Sequence, residues 1–136
     1  MTSADFSFDP NPSAQMSDEE ITAAGAQAVR DIADVPAVEI IASAAVHLMS
    51  AAAVKVGLAE DTPEVKAEEL KDLDEARKLI TALAGLVTAG STEIGDHHAR
   101  PLRDGLRSLQ LAFREASVVP DAPGQGPGEK YTGPVR

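Results

Sequence analysis

Residues 37–58 read AVEIIASAAVHLMSAAAVKVGL, and this run decides most of what the chain can become. Glu39 and Lys55 are its only strongly charged side chains, with His47 between them. Val38, Ile41, Ala45, Leu48, Ala52 and Val56 recur at steps of three and four, the period of an α-helix. The remaining faces are mostly Ala and Ser, which leaves no broad charged side to meet water. Such a helix is expected to be enclosed by its neighbours. It is long enough to cross a bilayer, but Ala and Ser dominate it and Glu39, His47 and Lys55 interrupt it. The reading is therefore a buried helix of a cytoplasmic protein with no membrane role.

The flanking segments carry their own boundary signals. Ser17-Asp18-Glu19-Glu20 has the form of a capping box, with three acids suited to the positive end of a helix dipole. It opens a short amphipathic helix within residues 16–35, ending near Ala33, whose face of Ile21, Ala24, Ala28 and Ile32 is thin. Pro36 restarts the chain as a good first helical residue, and Gly57 with the acidic turn AEDTPE ends the central helix. Residues 59–71 form a charged connector with a helical turn after Pro63. A second box-like start at Asp72 opens a helix striped by Leu73, Ala76, Ile80, Leu83 and Val87, running to about Ala89 with Gly90 as its stop. The last helix begins between Asp96 and Pro101 and ends near Ser117, with Leu102, Leu106, Leu109 and Phe113 facing inward. Gly105 weakens it by about 1 kcal/mol relative to Ala unless a neighbour needs that close approach.

Both ends look different. Residues 1–15 show no period and read as a disordered acidic tail carrying Phe6 and Phe8. Residues 118–136, VVPDAPGQGPGEKYTGPVR, hold four Pro and four Gly and read as a disordered tail with no packed core available to it. The expected fold is all-α: a small antiparallel bundle of three main helices over residues 37–117, a weak N-terminal helix, and disordered tails. Three small apolar faces make a thin core, so self-association is expected.

Composition narrows the function classes. The 136 residues carry a formal charge of −10, with 3% aromatics, no Trp and no Cys. The missing thiols remove disulfides, thiolate zinc sites and cysteine nucleophiles, and fit a reducing compartment. An acidic chain is repelled by phosphate backbones and anionic membranes, which disfavours nucleic acid as a partner.

Few residues suggest a site. Asp96-His97-His98 is the most metal-like cluster, a remote candidate for a metal-dependent enzyme. Adjacent helical histidines point about 100° apart, however, and cannot readily chelate one ion. The acids Glu68, Glu69, Asp72, Asp74 and Glu75 are interleaved with Lys71, Arg77 and Lys78, as on a solvated helix face. Arg100, Arg103, Arg107 and Arg114 fall within about 60° on a helix and form a candidate interaction surface for an acidic partner patch. An alternative is a ribosome- or nucleic-acid-associated role for the same row, which lacks interleaved aromatics. Pairing with Glu68, Asp72 and Glu75 would leave it structural. In the central helix, Ala42, Ala45, His47, Met49 and Ala52 are the candidate self-association residues. His47 lines up with Ser43, Ser50 and Val54 on a face of mixed polarity. No catalytic constellation, cofactor loop or metal set emerges, so the expectation is a non-enzymatic protein that self-associates or binds a protein partner.

Three stretches also carry a resemblance: VHLMSAAAVKVGLAED, KDLDEARKLITALAGLV and LRDGLRSLQLAF. Together, over roughly residues 37–116, the chain resembles a bacterial family of unknown function, DUF1844. Val56-Gly57-Leu58, Asp72 to Ile80, and Leu102 to Phe113 occupy the family's "LGL" turn, its "DLEAAR" helix and its final Leu-rich helix. Residues 63–71, Phe113 in place of a common Tyr, and both tails depart from the pattern. The resemblance implies a small helical unit and brings no catalytic residues with it.

Overall fold

The structure, a computed structural model, describes residues 17–136. The acidic tail expected at 1–15, with Phe6 and Phe8, lies outside the described residues. The chain divides into two units, residues 1–36 and 37–136.

The first unit contributes α1 (Asp18–Ala33). Its capping box forms as expected: the Glu20 amide donates to Ser17 Oγ at 3.1 Å, and the Ser17 amide donates to Glu20 Oε1 at 3.0 Å. Two orphan donors of the first turn are thereby satisfied. No residue of α1 is buried, and Ile21, Val29 and Ile32 stand exposed.

The second unit is built on α2 (Ala37–Lys55), α4 (Leu73–Ile94) and α5 (Asp96–Ala116), with the short α3 (Ala67–Leu70) and α6 (Glu129–Thr132) between and after them. The three long helices pack on one another pairwise. Each turns the expected stripe inward: Ala45 and Ala52 from the first, with Val56 just past its end; Ala76, Ile80, Leu83 and Val87 from the second; Leu102, Leu106, Leu109 and Phe113 from the third. Ile80 and Leu83 are the largest fully buried side chains, each contributing about 1.5–3 kcal/mol through burial. Small residues set the helix spacing. A Cβ at Gly90 would meet Ile41 Cγ2 at 3.3 Å, and one at Gly105 would fall on the terminal methyl of Met49. Gly105 is therefore the close approach that justifies a glycine inside α5.

The connector is ordered by its own polar groups. Asp61 accepts the Ala67 amide at 2.7 Å, and the Asp72 amide donates to the Lys55 carbonyl at 2.8 Å. The Asp72 carboxylate then accepts the Glu75 amide at 3.2 Å and caps α4.

Two expectations are corrected. Gly90 does not stop α4; it is a buried crossing point against Ile41, and the helix continues to Ile94. The break falls at Gly95, whose φ of 87° suits a residue without a Cβ.

The second correction concerns residues 118–136, which are not a disordered tail. They form a strap lying against α4 and α5. Arg77 Nη2 donates to both carboxylate oxygens of Asp121 at 3.1 and 3.0 Å. The buried Gln110 Nε2 donates to the Pro127 carbonyl and to Thr132 Oγ1, both at 3.1 Å. Glu129 accepts the amides of Gly126 and Val135, each at 2.8 Å, and Val135 is buried. Tyr131 lies over Gly85, and Gly128, at φ 75°, sits against Ala84. A segment rich in Pro and Gly cannot make its own core, but this one uses the bundle's. Its prolines limit the freedom lost on docking, and Ala84 and Gly85 leave room for its backbone.

Candidate functional site

α2 is the element whose environment most departs from its composition. It is long and apolar enough to cross a membrane, yet only 11% of that stretch is buried. α4 and α5 cover one side of it alone. Ile40, Val46 and Val54 remain 47, 51 and 36% exposed. On a helix they flank Ser43, His47 and Ser50, giving an outer face opposite Ala45 and Ala52. Ala42, Ser43, Val46, His47 and Ser50 line a shallow open depression on it. The expectation that neighbours enclose this helix therefore holds for half of its circumference.

The candidate self-association residues divide accordingly. Ala45 and Ala52 are fully buried in the bundle, and Met49 covers Gly105. Ala45 and Ala52 are intramolecular contacts with no surface left for another chain, and Met49, partly buried, packs on the same side. The physical reason is their shared side of the helix, which α4 and α5 occupy. His47 is exposed and Ala42 is half-buried at the edge of the outer face. Ile40 and Val46 belong to that face and were not among the candidates; the seven-residue steps Ile40–His47–Val54 are the signal that marks its centre.

The arginine row is largely engaged within the chain. Arg100 Nη2 donates to Asp96 Oδ2 at 3.1 Å, and Arg103 donates to Asp96 Oδ1. The Arg103 hydrogen bond, with the positive charges of Arg100 and Arg103 nearby, holds the Asp96 carboxyl below the usual carboxylate range. Arg107 Nη2 donates to the main-chain oxygen of Arg136 at 2.7 Å. Arg114 makes no ion pair among the described residues. The expected partners are taken elsewhere: Glu68 pairs with Lys71, Glu75 with Lys78, and Asp72 caps α4.

The cluster at Asp96–His98 offers little to a metal. Both Asp96 oxygens already accept guanidinium donors, and the His97 and His98 rings meet edge-on with centroids 5.2 Å apart. Among the described residues, no group of three or more potential metal ligands converges. In the acidic cluster of the connector and α4, Glu68 and Glu75 pair with lysines three residues on, while Glu69 and Asp72 accept the main-chain amides of Lys66 and Glu75.

No curated protein and no solved structure matches the chain. The family described as a domain of unknown function, DUF1844, matches residues 37–115, from the start of α2 almost to the end of α5. The strap lies beyond the matched region. The three stretches noted in the sequence thus fall on the three packed helices, and the chain belongs to the DUF1844 family.

Proposed function

We propose that this protein is a non-enzymatic, cytoplasmic helical module that associates with a second copy of itself through the outer face of α2. The observation carrying this reading is the exposure of Ile40, Val46 and Val54 on a helical face whose one charged side chain is Glu39, in the first turn of α2. Several large apolar side chains exposed on one helical face, interleaved with small polar ones, suit an interaction site on a folded protein. A membrane is the weaker occupant. The inner side of α2 is committed to α4 and α5, and a chain carrying −10 is repelled by anionic lipid. Ser43, Ser50 and the small Ala44 and Ala51 suit close helix–helix approach, with His47 able to hydrogen-bond across it. A nucleic-acid role for the arginine row is disfavoured by the internal engagement of Arg100, Arg103 and Arg107.

The absence of cysteine makes a clean test available. Ser43→Cys and Ser50→Cys place single thiols on the outer face, and Ser108→Cys places one on exposed α5 surface. Mild oxidation of dilute protein is expected to yield disulfide-linked dimers from the first two and monomer from the third. Equal cross-linking at all three positions, or none at any, would remove the outer face as an interface.

A further inference from the structure

The strap does more than cover the bundle: together with α4 and α5 it walls a cavity of about 210 Å³. Its apolar lining comes from Val87, Leu106 and Val135, all buried. Its polar lining on α5 comes from Arg103, Arg107 and Gln110. These three recur at steps of four and three, so they form one line along the helix, about 10 Å from first to last. The cavity has the make-up of a small-molecule site: apolar walls with a few aligned polar groups.

The donors and acceptors in that line are incompletely used. Each guanidinium carries five N–H donors. The hydrogen bonds of Arg103 and Arg107 to Asp96 and Arg136 use Nη2 in each case. Gln110 is only 5% exposed; its Nε2 holds the strap, while its carbonyl oxygen accepts nothing among the described residues. A buried acceptor without a donor is uncommon in folded proteins and calls for one. The cavity therefore offers positive N–H donors at one end, the Gln110 side chain about 5 Å further along the helix, and apolar walls beside them.

We propose that this cavity binds a small organic anion: a carboxylate bearing a hydroxyl near the acid group and a short hydrocarbon chain. The carboxylate meets Arg107 and Arg103 through charge-assisted hydrogen bonds, the hydroxyl donates to Gln110, and the chain lies against Val87, Leu106 and Val135. At ~30 Å³ per water the space holds about seven waters, which corresponds to a ligand of roughly nine heavy atoms. The site is independent of the α2 interface. Because Val135 and Thr132 belong to the strap, ligand binding also holds the strap in place.

The test is a titration of the full-length protein with 3-hydroxyhexanoate, followed by amide chemical shifts in two-dimensional NMR. Hexanoate, 1,3-hexanediol and inorganic phosphate are titrated alongside. The expected result is saturable shifts at Thr88, Ser91 and Thr132 with a dissociation constant of about 1 mM or tighter, as suits a ligand of this size. Hexanoate binds several-fold more weakly for want of the hydroxyl, and the diol and phosphate give no saturation at these amides. Arg107→Gln weakens both acids about tenfold or more, and Thr88→Trp, substituted at the exposed rim, abolishes binding while the remaining spectrum stays that of folded protein. No saturation by 3-hydroxyhexanoate up to about 20 mM, twenty times that limit, would overturn the proposal. So would phosphate binding as tightly as the acids, or acid binding unaffected by Arg107→Gln.

Discussion

Replacing Gly128 by Ala is the sharpest probe of whether residues 118–136 belong to the fold. Gly128 has a φ of 75°, in the left-handed region where a Cβ costs about 1–2 kcal/mol. The added methyl would also stand 2.7 Å from the Ala84 Cβ and 3.4 Å from the Ile80 carbonyl oxygen. Carbon atoms settle near ~3.5–4.0 Å, and the Ala84 methyl, fixed to a helix, has no torsion by which to move away. The strap must either bear this strain or lift. Lifting it loses the two Gln110 hydrogen bonds, about 1 kcal/mol each, and the burial of Val135, about 1.5–3 kcal/mol. The expected loss of strap docking is therefore about 2–4 kcal/mol, since the chain takes whichever of strain and detachment is cheaper. Hydrogen exchange reads this locally, because a docked segment can open without unfolding the bundle. The Gly126 and Val135 amides, held on Glu129, should exchange roughly 30- to 700-fold faster, at 1.4 kcal/mol per decade. Amides of Ile80 and Leu83 in the core should change far less. Ala84→Gly in the same chain removes the clash, and the double-mutant cycle should show about 1 kcal/mol or more of recovery. Exchange within twofold of wild type, or no coupling between positions 84 and 128, would refute the docking geometry.

Two further outcomes follow from the same structure. Leu83→Ala empties a fully buried site where α4 meets the other two long helices and should reduce stability by about 2–5 kcal/mol in urea unfolding; a loss under about 1 kcal/mol would mean the core is not packed there. Asp96 has a folded-state pKa lowered mainly by its hydrogen bond from Arg103. Its contribution is therefore fully present above the unfolded carboxylate value of about 3.9 and is lost as pH falls through the lower folded value. An NMR titration of the Asp96 carboxyl carbon should show this depressed midpoint, and Arg103→Gln should return it toward the ordinary range.

What could be read from the amino acids was what neighbouring residues determine among themselves. The Ser17–Glu20 box, the Asp72 cap and the inward stripes depend on local spacing, and all three form. Gly90 reads as a stop from the sequence because a glycine inside a helix is explained only by what lies across from it. Here that is Ile41, distant in the chain and adjacent in space. The strap was illegible for a related reason. Composition asks whether a segment can build a core, whereas residues 118–136 use one supplied by Ala84, Gly85 and Gln110. The arginine partners were misassigned because Asp96 lies four and seven residues from Arg100 and Arg103 on the same helix. Little chain entropy is spent on such local pairs, so they prevail over more distant acids. Of the α2 candidates, Ala45 and Ala52 face the bundle, whereas His47 and Ala42 lie on or beside the outer face. Periodicity identified one apolar side, but two partner helices cover only that side, and the outer face with Ile40, His47 and Val54 was left for another surface.

That outer face is the central issue, and molar mass in solution by light scattering addresses it most directly. Wild-type protein and Val54→Glu should be compared across concentration at low and high salt. Val54 is partly exposed on α2, so glutamate there leaves the folded monomer intact. In a self-association interface it removes about 1 kcal/mol of apolar burial per copy and adds the desolvation of a charge from each. A combined loss of about 3 kcal/mol or more weakens association over 100-fold. The expected result is wild-type mass of at least twice the chain's 14.1 kDa, insensitive to salt, with the variant reduced to 14.1 kDa and still helical. Wild-type protein that stays at 14.1 kDa at every concentration, or an assembly that Val54→Glu leaves unchanged, would contradict association through the outer face of α2.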